Sequence, residues 1–190
     1  LRSSRGDADL AGEGRVEGPL DASADWHLTL TDARLAYPEL APWNLREPAA
    51  ARISADRVSV ERHCWTTGDA NLCLDAERTA ANLEAALDLE GFELGYLAPF
   101  LPAGYAMSGA IDATGFVRQE AGSAPTGELE VVTEGGEIVV GADESDAVRL
   151  ALEPSHARLA LLPDRTDADV DLSTERGHLR FRAEMPSFDG

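Results

Sequence analysis

The stretch Leu83-Glu84-Ala85-Ala86-Leu87-Asp88-Leu89-Glu90 decides the fold. Leu83, Ala85, Leu87 and Leu89 fall on one parity, and Glu84, Asp88 and Glu90 fall on the other. Side chains of an extended chain point alternately to opposite faces, so this segment reads as a strand with one greasy face and one wet face. The pattern spreads in both directions. Upstream, Trp26, Leu28 and Leu30 alternate with His27, Thr29 and Thr31; Val58 and Val60 alternate with Arg57, Ser59 and Glu61; Leu72 and Leu74 follow. Downstream come Met107, Ile111 and Ala113, then Leu129 and Val131, Ile138 and Val140, and Val148, Leu150 and Leu152. The last runs are Ala157, Leu159 and Leu161, then Val170 and Leu172, then Leu179, Phe181, Ala183 and Met185. The chain is expected to be all-β: an elongated, mostly antiparallel curled sheet with an open groove.

Turn chemistry punctuates the strands. Thr31-Asp32 reads as a hairpin break before Leu35 and Tyr37, and Gly135-Gly136 reads as a tight connection between Val132 and Ile138. Pro163-Asp164-Arg165 and Glu175-Arg176-Gly177 supply pre-bent or positive-φ positions for two further turns. One segment argues for helix, Phe92 to Pro102, and its prolines limit it to a turn or two near residues 93–101. Its apolar residues Leu94, Leu97, Phe100 and Leu101 lack period two and need a greasy surface to cover, so they are expected to cap the groove.

Alternation alone does not separate an open sheet from a closed sandwich. The residue types favour the open form. Aromatics are 6% of the chain, and the inward positions are mostly Leu, Val, Ala and Ile. That leaves the apolar face thinly filled, whereas two sheets packed to interior density interlock larger side chains. By parity the groove residues are Val58, Val60, Leu72, Leu74, Leu87, Leu89, Ile111, Leu129, Val131, Leu150 and Leu159. A trough of such residues attracts an acyl chain by roughly 0.8 kcal/mol per buried methylene, without direction, so the chain can slide.

The formal charge is −19, and all 16 basic residues are arginine. So acidic a surface repels phosphate backbones and excludes nucleic acid as a partner. Adaptation to high salt is an alternative source of the charge. No run of about eighteen apolar residues is present, and the start lacks the basic and apolar regions of a signal peptide. The chain is expected to be one segment, residues 1–190, of a longer repetitive protein, with no internal boundary and with both ends cut.

Cys64 and Cys73 flank the turn-forming stretch Thr66-Thr67-Gly68-Asp69-Ala70-Asn71 and are placed to meet across a hairpin. A disulfide there requires an oxidising compartment. The competing reading is a metal site built from His63, Cys64 and Cys73, which lacks the CxxC spacing and a fourth ligand. His27, His63, His156 and His178 are scattered and read as solvated surface. No nucleophile elbow or phosphate loop occurs and no carboxylate pair stands out, so neither an enzyme nor a cofactor is expected.

Trp43-Asn44-Leu45-Arg46-Glu47-Pro48-Ala49 is similar to a W-x-L-x-x-P-A stretch, and Cys64-Trp65 with Leu72-Cys73-Leu74 forms a CW…LCL pair. Leu94 to Pro102, Met107-Ser108-Gly109-Ala110-Ile111-Asp112-Ala113, Pro125 and Gly127-Glu128-Leu129 continue the likeness. Together these resemble the TamB family, of the AsmA-like (DUF490) group of bridge-like lipid-transfer proteins, in an interior segment. The resemblance implies a taco-like β-groove in the periplasm of a protein anchored in the inner membrane outside this segment, with an outer-membrane barrel partner, TamA-like. It implies phospholipid as cargo, or, as the alternative, a chaperone-like module for unfolded outer-membrane β-barrel proteins. It carries over no catalytic residues.

Overall fold

The computed structural model describes residues 9–18, 25–37, 40–141 and 147–186. The two chain ends, expected from sequence to be cuts through a continuing structure, lie outside the described residues. Thirteen strands form one antiparallel sheet. They are β1 (Asp9–Glu17), β2 (Trp26–Ala36), β3 (Trp43–Leu45), β4 (Ala49–Ile53), β5 (Arg57–Thr67), β6 (Ala70–Thr79) and β7 (Asn82–Glu93). Then follow β8 (Tyr105–Glu120), β9 (Thr126–Val140), β10 (Val148–Leu152), β11 (Ser155–Leu161), β12 (Arg165–Thr174) and β13 (Gly177–Pro186). A single 3₁₀ segment, Leu94–Phe100, joins β7 to β8.

Prolines explain why there are more strands than rungs. β3 and β4 lie end to end between β2 and β5, interrupted at Arg46-Glu47-Pro48. β10 and β11 lie end to end between β9 and β12, interrupted at Glu153-Pro154. Proline has no N–H to give to the ladder, so each broken rung is one strand with a gap. The sheet is therefore an eleven-rung meander in sequence order. At roughly 4.8 Å between neighbours it runs roughly 50 Å across the strands.

Four β-bulges bend it. An extra residue on one strand of a pair sharpens local twist and curl. Two of them overturn turns read from the sequence. Thr31-Asp32 is not a hairpin: β2 runs through it unbroken, with Thr31 as the extra residue opposite Glu13 and Gly14. The Thr31 hydroxyl donates to the Glu13 carbonyl at 3.1 Å, which satisfies the interrupted ladder. Gly135-Gly136 likewise lies inside the continuous β9, where Glu134 and Gly135 together oppose Ala110 in a bulge and Gly136 pairs with Gly109. Glycine is required there by close approach, since a Cβ on Gly136 would stand 2.1 Å from the Ser108 carbonyl oxygen. The turns at Gly68-Asp69, Pro163-Asp164 and Glu175-Arg176 are hairpin connections as expected.

Among the described residues no second layer covers the sheet. Among the described residues the buried hydrophobic side chains are Ala33, Cys64, Ala70, Cys73, Leu94, Ala113 and Leu152, mostly small, and no large side chain is fully buried. A sandwich would bury its large inward aliphatics between two sheets. Here they are left half-covered, and the fold is an all-β curled sheet with an open apolar face.

Candidate functional site

Directly paired residues share a face, so the register defines rows running across the rungs. One row crosses all eleven: Val16, Leu28, Ala51, Val60, Ala76, Ala85, Val117, Gly127, Leu161, Thr166 and Met185. Beside it run His63, Leu74, Leu87, Gly115, Leu129, Leu159, Ala168 and Ala183. A third row holds Leu45, Trp65, Leu72, Leu89, Ala113, Val131, Ala157, Val170 and Phe181.

All eleven groove positions read from sequence fall on this face. Val60, Leu72, Leu74, Leu87, Leu89, Ile111, Leu129, Val131 and Leu150 are half-buried, while Val58 and Leu159 are exposed. The face is concave in its middle. A cavity of about 550 Å³ is lined by Val60, Leu74, Leu87, Leu129 and Leu159 from the expected set, with Ala76, Ala85, Gly115, Gly127 and Leu161. The small residues deepen it, because each absent side chain on a rung is added space above the backbone. A second apolar cavity of about 310 Å³ lies over the first rungs, between Val16, Leu28, Leu30 and Ala51.

His63, read from sequence as solvated surface, is half-buried on the trough face, and Trp65, which the sequence did not assign to the groove, lies there beside it. Simple alternation after Val58 and Val60 would turn Arg62 inward. The β5 bulge prevents this, because Glu61 and Arg62 together oppose Asp75, so the phase slips by one and His63 takes the inward place. Arg62 is sent to the outer face, 3.8 Å from Asp75 and 3.3 Å from Asp88. A bulge leaves no mark in a binary pattern beyond a broken alternation, here Val-Ser-Val-Glu-Arg-His-Cys-Trp.

The short 3₁₀ segment lies at one lip of the trough, where β7 gives way to β8. Leu94 is buried, Leu97 and Leu101 are half-buried, and Phe100 is exposed. Aromatic contacts fasten the segment to strand ends from several rungs. Phe92 stacks on Trp43 at 6.3 Å between centroids and meets Tyr96 at 5.6 Å, and Phe100 meets Tyr37 at 6.0 Å. The chain enters this segment through Gly91, at φ 64°. The Gly91 N–H donates to the Asp112 carboxylate at 2.7 Å.

The outer face carries the charge. Cys64 and Cys73 are directly paired there, 4.0 Å apart at Cα, and form a disulfide. Because His63 points to the opposite face and both sulfurs are bonded to each other, the His63, Cys64 and Cys73 metal set is not assembled. Further along, Arg158 donates to Glu128 at 2.6 Å, and Arg182 to Asp169 at 2.7 Å. The Arg158 hydrogen bond holds the Glu128 carboxyl below its ordinary range. Asp171 is bonded by His178 and by Arg180, whose Nε lies 3.2 Å away, and these bonds lower its pKa in that order. His27, His156 and His178 are on this outer face, as expected of solvated imidazoles.

The family model described as TamB, N-terminal domain, matches residues 4–189. The chain belongs to the TamB family. No solved structure was found to match it. TamB proteins are envelope-associated, bridge-like transport proteins associated with a TamA partner, and are not known as enzymes. Membership suggests a role in TamB-type outer-membrane assembly. The W-x-L-x-x-P-A and CW…LCL stretches that carry the resemblance are the broken rung β3–β4 and the disulfide-linked hairpin β5–β6.

Proposed function

We propose that this chain is a stretch of a periplasmic lipid conduit, in which phospholipid acyl chains move along the apolar trough between the inner and outer membranes in support of outer-membrane biogenesis. It forms a single segment, without an internal boundary, of a longer groove. The membrane anchor and the TamA-like contact belong to other parts of the intact protein. The observation that carries the reading is the unpaired apolar face. Eleven rungs of mostly aliphatic side chains run side by side, and among the described residues no second sheet lies over them.

The occupant follows from hydrogen bonding. Within the sheet the strands between β1 and β13 have partners on both sides, so a polypeptide lying in the trough would find no backbone partner for its amides. Leaving those groups unpaired against aliphatic walls is unfavourable, by about 1–3 kcal/mol each. An acyl chain carries no such groups and gains from every methylene it buries. Length agrees as well. The tails of one leaflet reach about 15 Å, half of a 30 Å hydrocarbon core, so a trough of roughly 50 Å holds about three in file. The disulfide fits an oxidising compartment.

A second reading, a chaperone-like module, is favoured by the edge strand β1, which is exposed along its whole length and has one unpaired edge among the described residues. An unfolded barrel strand could add there by β-augmentation. Photoreactive residues separate the two. A probe at Leu87 in the intact protein is expected to capture phospholipid, and a probe at Leu10 to capture little. Barrel strands captured at Leu10, with no lipid at Leu87, would reverse the assignment.

A further inference from the structure

His63 stands apart from everything else on the trough floor. Among the described strand residues on that face, the only charged side chain is Arg78, which lies near the end of β6 at a lip; His63 is the one imidazole, and it lies in the middle. It lines both apolar cavities, as does Val60, so the two cavities meet at this pair. Its own bonding fixes its chemistry. Nδ1 lies 3.0 Å from the Glu61 carbonyl oxygen, which can only accept, so Nδ1 donates and Nε2 is the nitrogen without a partner there. Trp65 stands edge-on to the ring, 6.4 Å between centroids.

We infer that His63 divides the trough into two acyl-chain compartments, one over Leu28, Leu30 and Ala51 and the other over Leu87, Gly115 and Leu129, and that a lipid tail passes between them over the Val60–His63 pair, in contact with the imidazole. The inference rests on the lipid reading of the trough. A tail laid against His63 strips water from the ring nitrogen and offers nothing in return, whereas on either side the trough-facing side chains of the cavities are apolar, Leu28, Leu30 and Ala51 on one and Leu87, Gly115 and Leu129 on the other. The resting places are therefore the two cavities and the imidazole is the barrier. The β5 bulge is what installs it, since the same bulge keeps Arg62, a far larger barrier, on the outer face.

The test is time-resolved photocapture with the full protein. A benzoylphenylalanine probe replaces Leu28 in one preparation and Leu129 in another, and each is mixed with vesicles of phosphatidylethanolamine and phosphatidylglycerol carrying a radiolabelled tail. In the parent protein one position fills before the other, with a measurable lag. His63→Leu is expected to shorten the lag by roughly threefold or more, and His63→Arg to lengthen it by about tenfold, because a fixed charge is the costlier group to cover. His63→Gln, polar and uncharged, should keep the lag of the parent. A lag unmoved by both His63→Leu and His63→Arg, with lipid still captured at both positions, overturns the division and leaves the conduit standing. No lipid captured at either position overturns both.

Discussion

The two faces of this sheet are made by the same strands and obey opposite rules. On the outer face every cross-strand ion pair of the described residues is found, from Arg57–Glu77 on β5 and β6 to Arg182–Asp169 on β13 and β12. On the trough face the described strands carry mostly aliphatic residues and glycine with a few aromatic and hydroxyl side chains, Arg78 at a lip, and His63 as the one imidazole in the middle. In a closed β-sandwich that second face would be covered by another sheet and its large aliphatics fully buried. Here it is left half-covered while the outer face is satisfied internally by charge. The contrast teaches where the molecule is unfinished: its outer side needs only water, and its inner side has no cover among the described residues.

The sharpest way to break this comparison is to place the same charge on each face of one strand. Leu87→Arg puts a guanidinium on the trough floor and is expected to lower lipid capture by roughly tenfold or more, because a charge facing an acyl chain must be desolvated. Glu84→Arg, on the outer side of β7, should leave capture unchanged. Equal losses from both, or none from Leu87→Arg, would mean that the faces do not differ in function. Circular dichroism of each variant checks that the sheet persists.

The covalent link on the outer face comes next. Removing the disulfide with Cys73→Ser is expected to lower stability by about 2 to 3 kcal/mol in the loop-entropy model, read as a shift in urea midpoint with unchanged slope. If the register of β5 and β6 is already held by the Gly68-Asp69 turn and the cross-strand ladder, lipid capture at Leu87 survives this change.

The pH response sharpens the electrostatic half. The His178 and Arg180 bonds hold Asp171 below its ordinary range in the folded chain. A carboxyl lowered on folding stabilises the fold above the pKa of the unfolded chain, about 3.9, and that contribution is lost as pH falls through the lower folded value. Asp171→Asn should therefore be less stable than the parent near neutrality, with the gap closing in acid. A gap that is constant from pH 6 to pH 2 would show that the charge of Asp171 is not what is lost.

The smallest effect belongs to the exposed pairs. Arg182→Ala removes a cross-strand contact with Asp169 in which the arginine is largely solvated. Its expected change in stability is about 0 to 1 kcal/mol, measured by the same urea titration and reduced further in high salt.

The sequence by itself determined the strand class, the meander and, wherever a strand runs without a bulge, which residues share a face, because period-two alternation is local and the chain repeats it from Trp26 to Met185. It also placed the disulfide, since a turn-forming stretch between two strands brings Cys64 opposite Cys73. It misread Thr31-Asp32 and Gly135-Gly136 as turns, because a bulge and a turn draw on the same residue types. Only the tertiary structure decided that the apolar face is uncovered, that Ala85, Gly115 and Gly127 hollow its middle, and that His63 sits on its floor. The reason is that register is a property of pairs. One extra residue at Glu61-Arg62 changes what faces inward for the rest of β5, and only the partner strand reveals which residue is extra.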